Sequence, residues 1–245
     1  MRRVLAVGAH PDDIELGCGA TLLAHSAAGD SVTMLVMTGG EKGPGQVTGR
    51  HHEQQEAARI LGAELRWGGL VDCTLTPDAT TVAVVERAIS ASGADLVYVH
   101  APDDSHQDHR AVAAATLAAG RRLSRVMHYQ SPSTLAFHPT VFVDVTAHLS
   151  GKLAALGAHA SQVEMSAMVE PDAVAASARY WGAQARIGYA EAFTPTRMVL
   201  DLADTDELAG TDVSAAHRLP FAAPPGVPPA RIPAPLASKR SQLSR

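Results

Sequence analysis

Aromatic side chains make up only 4% of this 245-residue chain, and cysteine occurs twice. Cys18 and Cys73 form neither a disulfide framework nor a Cys-x-x-Cys pair, and both are expected to be small buried hydrophobes. A basic excess is missing too. The net charge is -5 and the pI about 6.2, which argues against a nucleic-acid or anionic-membrane partner. No apolar run reaches the roughly 18 residues of a membrane helix. Val4 to Ala9, after Arg2 and Arg3, is too short for the apolar core of a signal peptide and ends in a charged loop. These absences lead to the expectation of a cytoplasmic protein with a small-molecule partner, and they leave a homo-oligomer open.

What remains is ordinary globular material. Hydrophobic residues are 46% and charged residues 18% of the chain, enough at this length for a sizeable core in one α/β domain or two small ones. Arg3 to Gly8 reads as a buried parallel strand. A helical spacing of Ile14, Cys18 and Leu22 follows, running to Ala28, and then a strand over Ser31 to Met37, which makes a βαβ unit. Further helices are expected over Arg50–Leu61, Val82–Ala91, Arg110–Ala119, Lys152–Ala158 and Asp172–Arg186. Strands are expected over Glu64–Trp67, Leu96–His100, Val126–Tyr129, Val141–Val145 and Met198–Leu202. This alternation calls for a Rossmann-like, doubly wound, mostly parallel sheet with helices on both faces. Residues 1–210 are expected to form that single domain, and the proline-rich tail 211–245 an extended arm or disorder. Thr38 to Gly49 holds Gly39, Gly40, Gly43, Gly45 and Gly49 and reads as a mobile loop able to gate a site.

Two stretches break the regular pattern. Ala9-His10-Pro11-Asp12-Asp13 follows the first strand, and Pro102-Asp103-Asp104-Ser105-His106-Gln107-Asp108-His109 follows the fourth. Polar side chains this dense cannot all be buried, and Pro11 and Pro102 interrupt regular structure, so both read as loops. In a doubly wound sheet, ligands collect at the carboxyl ends of the strands where the winding reverses, between the first and fourth strands. The fold expectation alone therefore brings His10, Asp12, Asp13, His106, Asp108 and His109 into one crevice. Imidazoles with a carboxylate suit zinc, and a catalytic site needs three protein ligands. The spare groups can act as base, acid and orienters.

Simpler readings compete with this one. Asp12 or Asp13 could cap the next helix. His51 and His52 read as surface residues, and His25, His128, His138, His148 and His217 show no partner pattern. Glu15-Leu16-Gly17-Cys18-Gly19 is similar to the glycine turn of adenosylmethionine-dependent methyltransferases. That turn needs a strand directly before it, and here Asp12 and Asp13 intervene. A non-catalytic sugar-binding module would need a missing ligand or base, and none is missing.

The two motifs, with Glu15-Leu16-Gly17, resemble the LmbE-like, or PIG-L, zinc deacetylases. Thr38-x-Gly40-Glu41, Arg50-x-x-Glu53, Lys152, His159-x-Ser161-Gln162 and Glu191-x-Phe193 look like further landmarks of that family. The resemblance covers about Arg3 to Leu202. It implies a Rossmann-like fold and hydrolysis of an N-acetyl or related N-acyl group from a glucosamine-type conjugate, in thiol biosynthesis or secondary metabolism. A zinc amidase acting on a non-sugar amide is the alternative. By motif position, His10, Asp13 and His109 would be the metal ligands, for Zn2+ or for Fe2+ in vivo. Asp12 would be the general base, His106 would stabilise the oxyanion or protonate the amine, and Asp108 would orient an imidazole. Arg50, Asp104 and His159 would face the substrate. Ile14 stands where many members carry an acid. Trp67, Tyr129, Trp181, Tyr189 and Phe193 are the aromatic residues available to stack on a sugar.

Overall fold

Val4 and Ala6 point to one face of the first strand, Leu5 and Val7 to the other, and all four are buried. A strand that is apolar on both faces needs helices on both sides, and the chain supplies them. The computed structural model describes residues 1–43, 45–163 and 170–200. Its strands are β1 (Arg3–Gly8), β2 (Ser31–Thr38), β3 (Glu64–Leu70), β4 (Leu96–His100), β5 (Arg125–Tyr129), β6 (Val141–Asp144) and β7 (Ala190–Met198). Its helices are α1 (Asp13–Ala27), α2 (Val47–Leu61), α3 (Ala79–Ser92), α4 (Gln107–Ala119), α5 (Leu149–Gly157), α6 (Ala160–Val163) and α7 (Pro171–Ala185).

The sheet order is β3-β2-β1-β4-β5-β7-β6. The pairs from β3 across to β5 are parallel, and β7 is antiparallel to both β5 and β6. Ile14 and Leu22 of α1, Ala57 and Leu61 of α2 and Ala155 of α5 pack on one face. Val84 and Val85 of α3 and Ala111 and Val112 of α4 pack on the other. Burying one such valine or leucine side chain is worth roughly 1.5–3 kcal/mol. β1 and β4 lie side by side, so the winding reverses where the sequence pattern put it. The mostly parallel α/β expectation holds.

Three local expectations need correction. The last strand is β7, ending rather than starting at Met198. Pro195 disguises it in the sequence, because a proline cannot donate to a ladder. The register slips at that point, with Val126 facing Arg197 and Met127 facing Pro195, and a bulge is one of the few places where a strand accepts proline. Val199 and Leu200 follow β7 outside any strand, and the remainder of the expected strand Met198–Leu202, with the tail, lies outside the described residues. α2 starts at Val47, which shortens the glycine loop. Its end is tied down: the Lys42 N–H donates to Asp72 Oδ2 (2.8 Å) and the Asp72 N–H to Glu41 Oε1 (3.0 Å). Cys73 is exposed rather than buried, at a backbone φ of 60°.

Met1–Val199 forms one compact unit; of the second, Leu200–Arg245, only Leu200 is described. No helix among the described residues is long and apolar enough to cross a membrane.

Candidate metal centre and active site

The first loop leaves β1 at Gly8 and enters α1 at Asp13. Asp12 occupies the position before the helix, at φ 87° and ψ -23°, and its side chain makes no capping bond. Left-handed backbone at a non-glycine residue is strained, and an aspartate that does not cap has its carboxylate free for something else. The side chain borders a cavity of about 360 Å³. Asp13 is turned back into the loop, where its Oδ2 accepts the His10 N–H at 2.7 Å. The capping alternative therefore fails for Asp12.

The second loop leaves β4 at His100 and enters α4 at Gln107. His106 stands before the helix, and its Nδ1 accepts the Asp108 N–H at 3.2 Å. That bond makes Nδ1 the bare nitrogen and leaves Nε2–H as a donor in the neutral ring. Asp108 and His109 are buried in the first turn of α4. The His106 ring lies 4.7 Å from His10 and 4.6 Å from His109, centroid to centroid. The two loops meet, and all six residues expected in the crevice are there.

Each of two imidazoles is held at one nitrogen and turned to Asp13 with the other. His10 Nε2 lies 3.1 Å from Asp72 Oδ1 and 3.2 Å from Asp108 Oδ2, while its Nδ1 is 3.3 Å from Asp13 Oδ2. His109 Nδ1 lies 3.2 Å from Asp104 Oδ2 and 3.2 Å from Ser133 Oγ, while its Nε2 is 3.3 Å from Asp13 Oδ1. A carboxylate behind each imidazole is the arrangement that fixes ring orientation and tautomer in metal sites. Three overlapping sets of ligand atoms each lie within 4.8 Å of one another: His10, His106 and His109; Asp13, His100 and His109; and His10, Asp72 and Asp108.

The charges fit a cation. Burial opposes a proton on His10, but Asp108, Asp13 and Asp72 overcome it and push its pKa up to about 12. Burial likewise opposes a proton on His109, and Asp13 and Asp104 raise it to about 9. Burial would lift Asp13, yet His109, His100 and His10 hold it well below the usual carboxylate range. Two buried imidazoles raised in this way by carboxylates mark a site short of positive charge, which a metal ion would supply in their place. The chemistry of the donor set fits a divalent metal with nitrogen and oxygen ligands.

Asp12 behaves differently from its neighbour. Burial, then the charge of Asp13, raises it to about 7. His106 is lowered by burial, then by His109 and His10, so it stays neutral.

The three residues expected to face substrate are placed less simply. Arg50 borders the cavity but is 4% exposed. Its Nη1 donates to Gly40 O and its Nη2 to Pro11 O (3.3 Å). Gly40, at φ 65°, is where a Cβ would strike the Arg50 guanidinium, so the glycine allows arginine to join the two loops. Asp104 is 1% exposed and lies behind His109, held by Ser131 Oγ (2.5 Å) and Thr134 Oγ1 (3.1 Å). His159 is fully buried beside Glu15, with Nε2 3.3 Å from Glu15 Oε1.

Sequence reasoning missed Asp72, which follows β3, and His100, which ends β4 and stacks on His109 at 3.9 Å. The only signal for either was its place at a strand's carboxyl end. It also missed Gln54, four residues after Arg50, whose Oε1 accepts the Asp12 N–H (3.3 Å) and whose Nε2 donates to Glu15 Oε1 (2.6 Å). Among the aromatic residues, Tyr129 and Phe193 are core, and His128 is tied between His100 O and Thr196 Oγ1.

Comparison with known proteins gives a consistent picture. Residues 5–120 match the PIG-L family, GlcNAc-PI de-N-acetylase. The uncharacterized deacetylase YaiS of Escherichia coli (strain K12) is 36% identical over 167 residues, 64% of this chain and 90% of YaiS. The 1D-myo-inositol 2-acetamido-2-deoxy-alpha-D-glucopyranoside deacetylase of Mycobacteroides abscessus is 26% identical, over 67% of this chain and 83% of its own length. Among solved structures, the conserved protein TT1542 from Thermus thermophilus superposes with a TM-score of 0.76 at 31% identity, over 83% of this chain and 98% of that one. Identity of that order along nearly the whole of a relative reflects common descent, and the chain belongs to the PIG-L, or LmbE-like, deacetylase family.

Proposed function

We propose that the protein hydrolyses an N-acetyl or related N-acyl group from a glucosamine-type sugar conjugate. The observation that carries this reading is the pairing of His10 and His109 around Asp13, each backed by carboxylates, beside an Asp12 that caps nothing. His10, Asp13 and His109 would hold the metal, Zn2+ or Fe2+. When bound, such an ion polarises the amide carbonyl and makes a water acidic enough to attack near neutral pH.

The chain's own residues do the rest. Asp12 takes the proton of the attacking water as its oxygen bonds to the amide carbon, and its raised pKa suits a base that works near pH 7. His106, neutral and with Nε2–H free of the Asp108 bond, donates to the oxygen that becomes negative. The carbon–nitrogen bond then breaks as the amine takes a proton from Asp12. Asp108 and Asp72 orient His10, and Asp104 orients His109. A second cavity of about 290 Å³ adjoins the first and shares Leu16 and Pro132 with it. It gives the remainder of the conjugate a place beside Trp181.

The test is to load the protein with Zn2+ or Fe2+, incubate it with a panel of N-acetylglucosaminides and non-sugar N-acyl amides, and read free amine by mass spectrometry. Amine from the sugar amides, lost on chelation, is the expected result. Cleavage of the non-sugar amides alone would replace the sugar reading with the amidase one.

A further inference from the structure

α1 is broken. Cys18 has φ -147° and ψ 17°, far from helical values, with helix on either side. In an unbroken helix the Ala20 N–H would donate to Leu16 O and the Thr21 N–H to Gly17 O. Here those two N–H groups turn instead to a buried ion pair supplied by two other elements. Glu191 of β7 accepts the Ala20 N–H at Oε1 (3.2 Å) and the Thr21 N–H at Oε2 (2.7 Å). Lys152 of α5 donates to Leu16 O (2.7 Å) and to Glu191 Oε1 (2.6 Å). Both residues are 4% exposed.

Gly17 lies just before the break. Tyr129, anchored by its hydroxyl on Val7 O (2.8 Å), fills the space beside Gly17, where a Cβ would overlap the ring. The turn before the break ends against that ring. That turn carries Asp13 and Glu15, and the Leu16 N–H donates to Asp12 O at 2.9 Å. Leu16 is thus gripped at both ends, by Lys152 at its carbonyl and by Asp12 at its N–H. One residue separates the ammonium of Lys152 from the backbone of Asp12.

We propose that Lys152 and Glu191 are positioning residues: inserted as an ion pair into the hydrogen-bond ladder of α1, they hold the helix open at Cys18 and so fix Asp12 and Asp13 in the site. This rests on the function proposed above for those two aspartates. Neither residue touches the reacting atoms. Their effect runs through the backbone, so the loss of the pair lets the ladder close and rotates the first turn away from His109.

The test is the double variant Lys152→Met with Glu191→Leu. Replacing a whole buried ion pair by apolar residues of similar size is often neutral for stability, and the freed backbone groups can bond to one another. The expected result is a melting temperature near wild type, Zn2+ binding weakened roughly tenfold or more by calorimetric titration, and kcat lower by roughly a hundredfold; KM is read separately, because Lys152 and Glu191 also border the second cavity. Lys152→Arg, which keeps the charge and donors, should recover most of kcat. Wild-type Zn2+ affinity and kcat in the double variant would overturn the proposal. Should that variant not fold, Glu191→Gln is read in the same assays. Loss of Zn2+ affinity in the folded protein supports the proposal, and wild-type affinity rejects it. An absence of N-deacetylase activity in the wild type would count against the proposed function alone, because the Zn2+ titration needs no turnover.

Discussion

Two groups of buried charge flank the first turn of α1, and they are built to opposite rules. In the candidate metal centre, Asp13, Asp72, Asp104 and Asp108 surround His10 and His109, and the excess of carboxylate raises the pKa of both imidazoles against burial. Behind the turn, Lys152 and Glu191 stand one to one, and Glu191 engages three donors. A balanced pair with its hydrogen bonds made is a structural device, because it asks for nothing more. An unbalanced cluster at the edge of a cavity is suited to binding a cation, which would supply the missing charge from outside. Residue type alone does not separate the two groups; the balance of charge and the number of satisfied partners do.

The sharpest way to break this contrast is to remove a donor from the unbalanced side. His10→Ala or Asp13→Ala should lose the metal by elemental analysis and lower turnover by roughly a thousandfold or more. Full metal occupancy in either variant would mean that the charge deficit is met elsewhere.

Asp12→Asn should act on turnover without acting on the metal. The general-base role predicts a loss of roughly 10²–10⁴-fold in kcat with metal content unchanged. Stability should move the other way. Burial and Asp13 raise the Asp12 pKa to about 7 in the folded chain, above its unfolded value, so ionising it opposes folding. That penalty is absent below the unfolded pKa and complete above about 7. The metal-free Asp12→Asn protein should therefore melt higher than metal-free wild type at pH 8 and alike at pH 4. Asparagine also tolerates the left-handed backbone at this position. Equal melting temperatures at pH 8 would place the Asp12 carboxyl in water.

The carboxylates behind the imidazoles come next in size. Asp72→Asn and Asp104→Asn should each weaken metal affinity by roughly 10–100-fold, because they fix rings without binding the ion. Zn2+ titrations of the two variants that match wild type would mean that the rings keep their orientation without these carboxylates.

The residues behind these expectations differ in how plainly the sequence shows them. His10, Asp12, Asp13, His106, Asp108 and His109 stand in two short runs at the ends of β1 and β4, so strand periodicity was enough to bring them together. Asp72 and His100 reach the same cluster as single residues, with no local pattern to mark them. Arg50 was legible as a landmark, but its direction was not, since nothing in a sequence shows that Gly40 leaves room for a guanidinium. Glu191 was legible as a landmark too, but its place in a strand was not. It belongs to β7, whose Ala-Glu-Ala-Phe-Thr-Pro-Thr pattern breaks strand alternation at Pro195, and only the bulge against β5 makes that strand possible. The central parallel strands β1, β2 and β4 are written in largely apolar runs. The antiparallel half depends on pairing between distant segments, which a local reading does not see.

The smallest expected effect concerns the second cavity, and it asks whether the neighbour of the metal centre takes part in binding. Trp181 borders that cavity and is fixed by its Nε1–H on Gln130 Oε1 (3.2 Å) and by edge contacts with Phe137 and Tyr180 at 5.8 and 4.8 Å. In a chain with two tryptophans, four tyrosines and four phenylalanines, such a gathering beside the site would offer an apolar face to the remainder of the proposed conjugate. Asp12, Asp13, His106 and His109 line the other cavity, which shares Leu16 and Pro132 with this one. Trp181→Ala should therefore leave kcat unchanged and raise KM for a conjugate that carries a group beyond the sugar, by roughly 5–30-fold for the loss of one stacked ring. It should leave KM for free N-acetylglucosamine alone, since that substrate ends before the second cavity. An equal rise for both substrates would mean that Trp181 only supports the wall of the site, and an unchanged KM for both would put the conjugate elsewhere.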